Sequence, residues 1–339
     1  MSAMSKKRIL VILFTGILIV AVVMVVYQRL KLKQGLSKPP PIGKSLQMES
    51  VAMAADKLPK GFIVWSSNRF GNHDILKMDL PEQKITRLTT HPHTEYFPRI
   101  SPDGRFIVFA RSQRPWVSQR NQQLWDVILL DLESGKERLL AKNGNTPGWS
   151  ADGKKVYFQK NVVHFTETDI ETGEERDLLS SGRGQIKEGA VLYTPNYNAE
   201  KHEIAITLHI GDYTTAVVDK EGGLNKIARG CQIAWTRQGD ALYYVGHGGK
   251  MNNAFYLYHP HTGKSTKWLD LPGDYSHEYF PKLSNDDNYL VFGASKGGHE
   301  HDSADYEVFL WQVGAPAASA SRLTFHTGND NWPDVYLSD

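Results

Sequence analysis

Three carboxylates stand at one offset from a proline. Glu95 precedes Pro98, Glu278 precedes Pro281 and Asp330 precedes Pro333, each by three residues. Imidazoles crowd the same segments: His91 and His93 lie just before Glu95, His277 adjoins Glu278, and His326 precedes Asp330. Imidazole beside carboxylate is donor chemistry for a divalent transition metal, with the acids as ligands or as partners that orient the rings. On that reading His91, His93, His277 and His326 are the candidate ligands. The same residues also suit a metal-free binding mouth. A third reading is a turn repeated along the chain, whose carboxylates accept backbone N–H bonds. The spacing is far looser than the single-helix His-Glu-x-x-His pattern, so these groups converge only if the fold brings distant segments together.

The elements that would do so repeat. Ile100-Ser101-Pro102-Asp103-Gly104-Arg105-Phe106-Ile107-Val108-Phe109 returns as Trp149-Ser150-Ala151-Asp152-Gly153-Lys154-Lys155-Val156-Tyr157-Phe158. Weaker copies begin at Tyr197, Trp235 and Leu283. Each is an apolar strand, a tight turn rich in Asp and Gly, and a second apolar strand, which reads as a β-hairpin. The period of roughly 40–50 residues is that of propeller blades. A sixth copy is split: Trp332-Pro333-Asp334-Val335-Tyr336-Leu337 supplies its first strand and Gly61-Phe62-Ile63-Val64-Trp65 its second. The last strand should therefore pair into the first blade and close the ring, which removes exposed sheet edges. Two further strands follow each hairpin, as in Asp126–Leu132 and Glu137–Leu140. A proline marks one register in five copies, at Pro98, Pro147, Pro195, Pro281 and Pro333, with Ile233 in the remaining one. The expected fold is all-β, a six-bladed β-propeller of four-stranded blades. It places Glu95, Glu278 and Asp330 on neighbouring blades, at one side of a central channel mouth.

The Asp-Gly turns, the Arg87-Leu88-Thr89 and Arg322-Leu323-Thr324 strand ends, and Ser67-Asn68-Arg69-Phe70-Gly71-Asn72 resemble the repeats of TolB-type six-bladed β-propellers, the WD40-like PD40 repeat family. The resemblance covers about residues 58–339. It implies a binding or scaffold protein of the cell envelope, with an envelope protein or a glycan as partner. Propellers of similar repeat also include oligogalacturonate lyases. That likeness implies an alternative: a metal-dependent enzyme using His91, His277 and His326 to cleave acidic sugars. The fold alone does not choose between scaffold and enzyme.

An apolar run from Ile9 to Tyr27 follows Lys6-Lys7-Arg8. Its length suits a bilayer span, with a cleaved signal peptide as the alternative; both flanks are basic, and the short basic N-terminus suits the cytoplasmic side. This predicts a cytoplasmic stub at 1–8, a transmembrane signal anchor at 9–28, a linker at 29–57 and the propeller at 58–339, tethered to the membrane on the extracytoplasmic, periplasmic side. The first fifty residues hold eight Lys and Arg and one acid. The rest therefore carries 31 basic against 36 acidic residues, about −5. With no basic patch, nucleic acid is not an expected partner. The single Cys231 excludes an internal disulfide and reads as a buried, inert thiol.

Two loops should share the face of the carboxylates. Gly297-Gly298-His299-Glu300-His301-Asp302-Ser303-Ala304-Asp305 is either a metal-binding tract or a solvated loop. The insertion 113–123 carries Trp116 between Arg114 and Arg120, either as an interface anchor or as a cap on its own blade. The expected binding face thus comprises Glu95, His277, Glu278, Asp330 and Trp116. No nucleophile elbow, phosphate-binding glycine loop or dinucleotide fingerprint occurs.

Overall fold

The computed structural model describes residues 58–338 apart from 211, 252, 299, 326 and 327, together with 38 and 39. Among them are 23 β-strands and no α-helix. The first strands are β1 (Gly61–Ser67), β2 (Asp74–Leu80), β3 (Lys84–Arg87), β4 (Glu95–Ile100), β5 (Phe106–Ser112), β6 (Trp125–Asp131) and β7 (Glu137–Ala141). Next come β8 (Gly144–Trp149), β9 (Lys155–Lys160), β10 (His164–Asp169), β11 (Glu175–Ser180), β12 (Tyr193–Asn198), β13 (Glu203–Ile210), β14 (Asp212–Val218) and β15 (Leu224–Trp235). The chain continues through β16 (Leu242–His247), β17 (Asn253–His259), β18 (Lys264–Leu269), β19 (His277–Leu283), β20 (Tyr289–Ser295), β21 (Tyr306–Gln312), β22 (Ser321–Arg322) and β23 (Asp330–Leu337).

These strands form an antiparallel propeller. The last strand does pair into the first sheet, whose order is β23-β1-β2-β3, with Gly61 opposite Leu337 and Ser67 opposite Asp330. Strands β4–β7, β8–β11 and β19–β22 make three more four-stranded sheets. The expectation of six separate four-stranded blades needs correction here. The described strands give four such sheets, and β12–β18 form one continuous seven-stranded sheet. The cause is β15, which pairs with β14 through its first half and with β16 through its second. Gly230 sits at the changeover, where a Cβ would lie 2.2 Å from the Val245 carbonyl oxygen.

A second correction concerns localisation. No helix among the described residues is long and apolar enough to cross a membrane. The stub, anchor and linker expected at 1–57 lie outside the described residues save 38 and 39. The expected single-pass placement therefore has no support among the described residues and is not carried further.

Strand side chains alternate between neighbouring apolar layers, as a period of two requires. Ile63 and Trp65 pack with Val291, Val308 and Leu310 on one side. Val64, between them in sequence, packs with Ile107, Phe109 and Ile128 on the other. The two halves of the seven-stranded sheet also face each other across such a layer, with Ala205 and Val217 against Trp235, Leu242 and Tyr244.

The hairpin turns explain the repeated Ser-x-Asp. Ser101 Oγ donates to Asp103 and accepts the Phe106 N–H (2.9 Å), and Asp103 also accepts the Arg105 N–H (3.1 Å). Ser150 with Asp152 and Ser284 with Asp286 repeat the arrangement. The proline register marks a β-bulge in every inner strand. The residue before it has positive φ: Phe97 58°, Thr146 47°, Thr194 44°, Gln232 55°, Phe280 60° and Trp332 53°. Pairing slips at each of these points. A bulge re-aims side chains, and these six turn toward the central channel.

Candidate functional site

Glu95, Glu278 and Asp330 begin or nearly begin three adjacent inner strands, β4, β19 and β23, as the register predicts. All three are 0% exposed, so none lines an open mouth. Each is engaged structurally. Glu95 pairs with Arg111 Nη2 at 2.6 Å and accepts from Thr89 Oγ1. Burial still pushes its carboxyl up to about 7, against the pull of Arg111 and Thr89. Asp330 Oδ2 pairs with Arg69 at 2.6 Å. Glu278 Oε1 accepts the Leu271 N–H at 2.6 Å, while its Oε2 is buried without a partner. Burial raises Glu278 to about 7 as well, and the Leu271 N–H only partly opposes it.

The Arg-Leu-Thr strand ends belong to this scaffolding. Arg87 Nε donates to Thr89 O (3.0 Å) and Nη2 pairs with Asp74 (2.8 Å), while Thr89 Oγ1 accepts the Ile75 N–H (2.9 Å). Arg322, Glu307, Thr324 and Val308 repeat the pattern with distances of 2.9, 2.6 and 2.9 Å.

The imidazoles are only partly gathered. His91 and His93 stand edge to face, 4.8 Å apart. The His93 N–H donates to His91 Nδ1 (3.1 Å), and His93 Nδ1 lies 2.7 Å from Ser112 O. Asn72 donates to both their carbonyls (2.8 and 3.0 Å), fixing the turn. Partial burial, then Arg111 and His93, hold His91 below its ordinary value. His277 is half-buried at the start of β19, and His326 lies outside the described residues. Among the described residues no three His, Cys, Asp or Glu side chains form a metal-holding group. Cys231 is only partly buried, but desolvation still pushes its thiol up to about 12 against the charge of Arg120, far from the thiolate a nucleophile needs.

The two polar loops meet each other. Ser118 Oγ donates to Asp302 Oδ2, and the Gln119 N–H donates to Asp302 Oδ1 (3.1 Å). Arg120 pairs with Glu300 at 2.7 Å, and Trp332 Nε1–H donates to Gln119 Oε1 at 2.6 Å. Asp302 is fully buried and anchors the loop, while Gly297, Gly298, Ser303 and Asp305 around it remain exposed. The clasp joins the β5–β6 loop to the β20–β21 loop over β23. Beneath it Trp332 meets Phe97 edge-on and Phe280 at a tilt, each with a centroid spacing of 4.3 Å, on this side of the channel. Trp116 is half-buried at the clasp's outer end, beside exposed Arg114 and Pro115.

What sequence reasoning missed lies deeper in the channel. Its lining includes Arg99, Thr146, Thr194, Asn196, Gln232 and Lys282 around a narrow cavity of about 50 Å³. The signal was available, because Arg99 and Lys282 each directly follow the register proline, as does Asp334.

No protein-family profile matches the chain, and no curated protein sequence matches it significantly. Solved structures do. TolB from Acinetobacter baumannii aligns with TM-score 0.59 and 15% identity over 81% of this chain, which spans 66% of that protein, just under two thirds. A candidate TolB from Agrobacterium tumefaciens aligns with TM-score 0.57 and 12% identity over 83% of this chain and 98% of that one. An oligogalacturonate lyase from Vibrio parahaemolyticus aligns at TM-score 0.48 and 13% identity, over 84% of this chain and 85% of that one. The fold is that of a TolB-type β-propeller.

Proposed function

We propose that this TolB-type propeller is a protein-binding module, and that β12–β18 counts as two blades sharing β15, which completes six around the ring. The packing of the two halves of that sheet across their own apolar layer supports the count. The binding reading rests on the clasp. A loop is pinned by a buried carboxylate and a Trp–Gln bond, and it presents exposed Arg114 and Pro115, with half-buried Trp116 beside them, on a fixed base. Arg and Trp are the residue types that dominate protein interfaces, and pre-organised presentation lowers the entropic cost of association. The buried acids Glu95, Glu278 and Asp330 serve this face by holding the strand starts that carry the loops.

Site-specific photocrosslinking in the native cell tests the reading. A crosslinker at Arg114 of the full chain should yield discrete protein adducts that disappear in a Trp116→Ala background. A crosslinker at the exposed Glu171, on the opposite face, should not. Equal adducts from both positions, or none at Arg114, would overturn it.

A further inference from the structure

Three inner strands in a row carry a charge directly after the register proline: Lys282 on β19, Asp334 on β23 and Arg99 on β4. The bulge turns Arg99 and Lys282 into the channel. Arg99 is only 8% exposed. Its Nη1 donates to the carbonyls of Pro98 (2.6 Å), Pro333 (3.3 Å) and Trp332 (3.4 Å). That leaves Nε and Nη2 with no acceptor among the described residues, and Lys282 Nζ has none either. Asp334, the nearby acid, does not neutralise them by contact. Its Oδ2 accepts the Ile100 N–H (2.9 Å) and its Oδ1 accepts the Val335 N–H (3.0 Å), so it is committed to the backbone. On the far wall, the Oγ1 hydroxyls of Thr146 and Thr194 are buried without partners. They line the same cavity.

Two buried hydroxyls without partners and two cations without a contacting acid line one partly open space, a setting that favours a small group with negative oxygens. The cavity, at about 50 Å³, has room for one small ion and not for a chain. We propose that the channel holds a single small oxyanion, with Arg99 and Lys282 as charge partners and the Thr146 and Thr194 hydroxyls as neutral donors. The electrostatic setting agrees. Desolvation of half-buried Lys282, and then the charge of Arg99, pull its ammonium down to about 7 against the charge of Asp334, and a bound anion would raise it.

The test is calorimetric titration of the full chain at low salt with inorganic phosphate, sulfate and acetate, run alongside thermal unfolding. At least one of these should bind at a single site and raise Tm in proportion to occupancy. Phosphate or sulfate in front assigns a tetrahedral oxyanion, and acetate in front assigns a carboxylate. Lys282→Met should weaken binding about tenfold or more, the loss expected for one charge-assisted contact. It should also raise Tm in the absence of anion, which separates lost binding from lost fold. No binding of any of the three at millimolar concentration, or equal binding by the folded Lys282→Met variant, would overturn the proposal.

Discussion

Glu95 and Glu278 each hold a proton far more tightly than an exposed carboxyl, up to about 7 against an ordinary 4.5, because burial outweighs their partners, and burial with the charge of Asp330 raises Glu307 in the same direction. A carboxyl whose pKa is higher in the folded chain than in the unfolded one costs stability when ionised. Stability should therefore fall as pH rises from about 4.5 to 7 and level off above. The aspartates of the hairpin turns act in the opposite sense. Hydrogen bonds hold Asp152, through Ser150 and the Lys154 N–H, and Asp286, through Ser284 and the Asn288 N–H, below the usual range, so their contribution is lost as pH drops below about 3.8. Urea unfolding between pH 3 and 8 should show a maximum near pH 4–5. Glu278→Gln should flatten the decline above pH 5 and gain about 1–2 kcal/mol at pH 8 relative to the parent. An unchanged profile would show that Glu278 is ionised and solvated in the folded chain.

At the scale of elements, the clasp and β15 each make a firm prediction. Asp302→Ala strips Ser118 Oγ and the Gln119 N–H of their buried acceptor. It should cost about 2–3 kcal/mol and raise amide exchange across 113–124, leaving β5 and β6 protected. Gly230→Val would drive a side chain into the Val245 carbonyl. It should cost at least about 2 kcal/mol, read by urea unfolding, and break pairing first between β15 and β16. These elements also show how much of the architecture was legible. The hairpins could be read, because the Ser-x-Asp turn and the short apolar runs of strands such as β1 act locally. The bulges left a trace too, since proline marks five of the six. The continuity of β15 was not legible, because the repeat marks only where each blade's strands begin, and pairing on both edges of one strand appears only in the fold. The buried state of Glu95, Glu278 and Asp330 was hidden for a related reason. Carboxylates read as solvent-facing until Arg111, Leu271 and Arg69, distant or on other strands, are seen to hold them.

For the whole molecule, the ring is a circle of apolar layers with one seam, where β23 meets β1. That seam seals through side chains on both faces: Val335 and Leu337 join Ile63 and Trp65 in one layer. Phe62 and Tyr336 meet at 5.6 Å in the next. Val335→Ala should therefore destabilise the ring by about 1–3 kcal/mol and shift its single cooperative melt rather than split it, checked by calorimetry. The seam has another property, which concerns force. Gly61 and Leu337 face each other at the same end of an antiparallel pair. Tension applied between residues 60 and 338 would load that pair bond by bond, like a zipper, instead of shearing all its hydrogen bonds together. A ring that resists heat as a unit would thus open under modest pulling at this one point, starting from the Gly61–Leu337 pair and running inward toward Asp330.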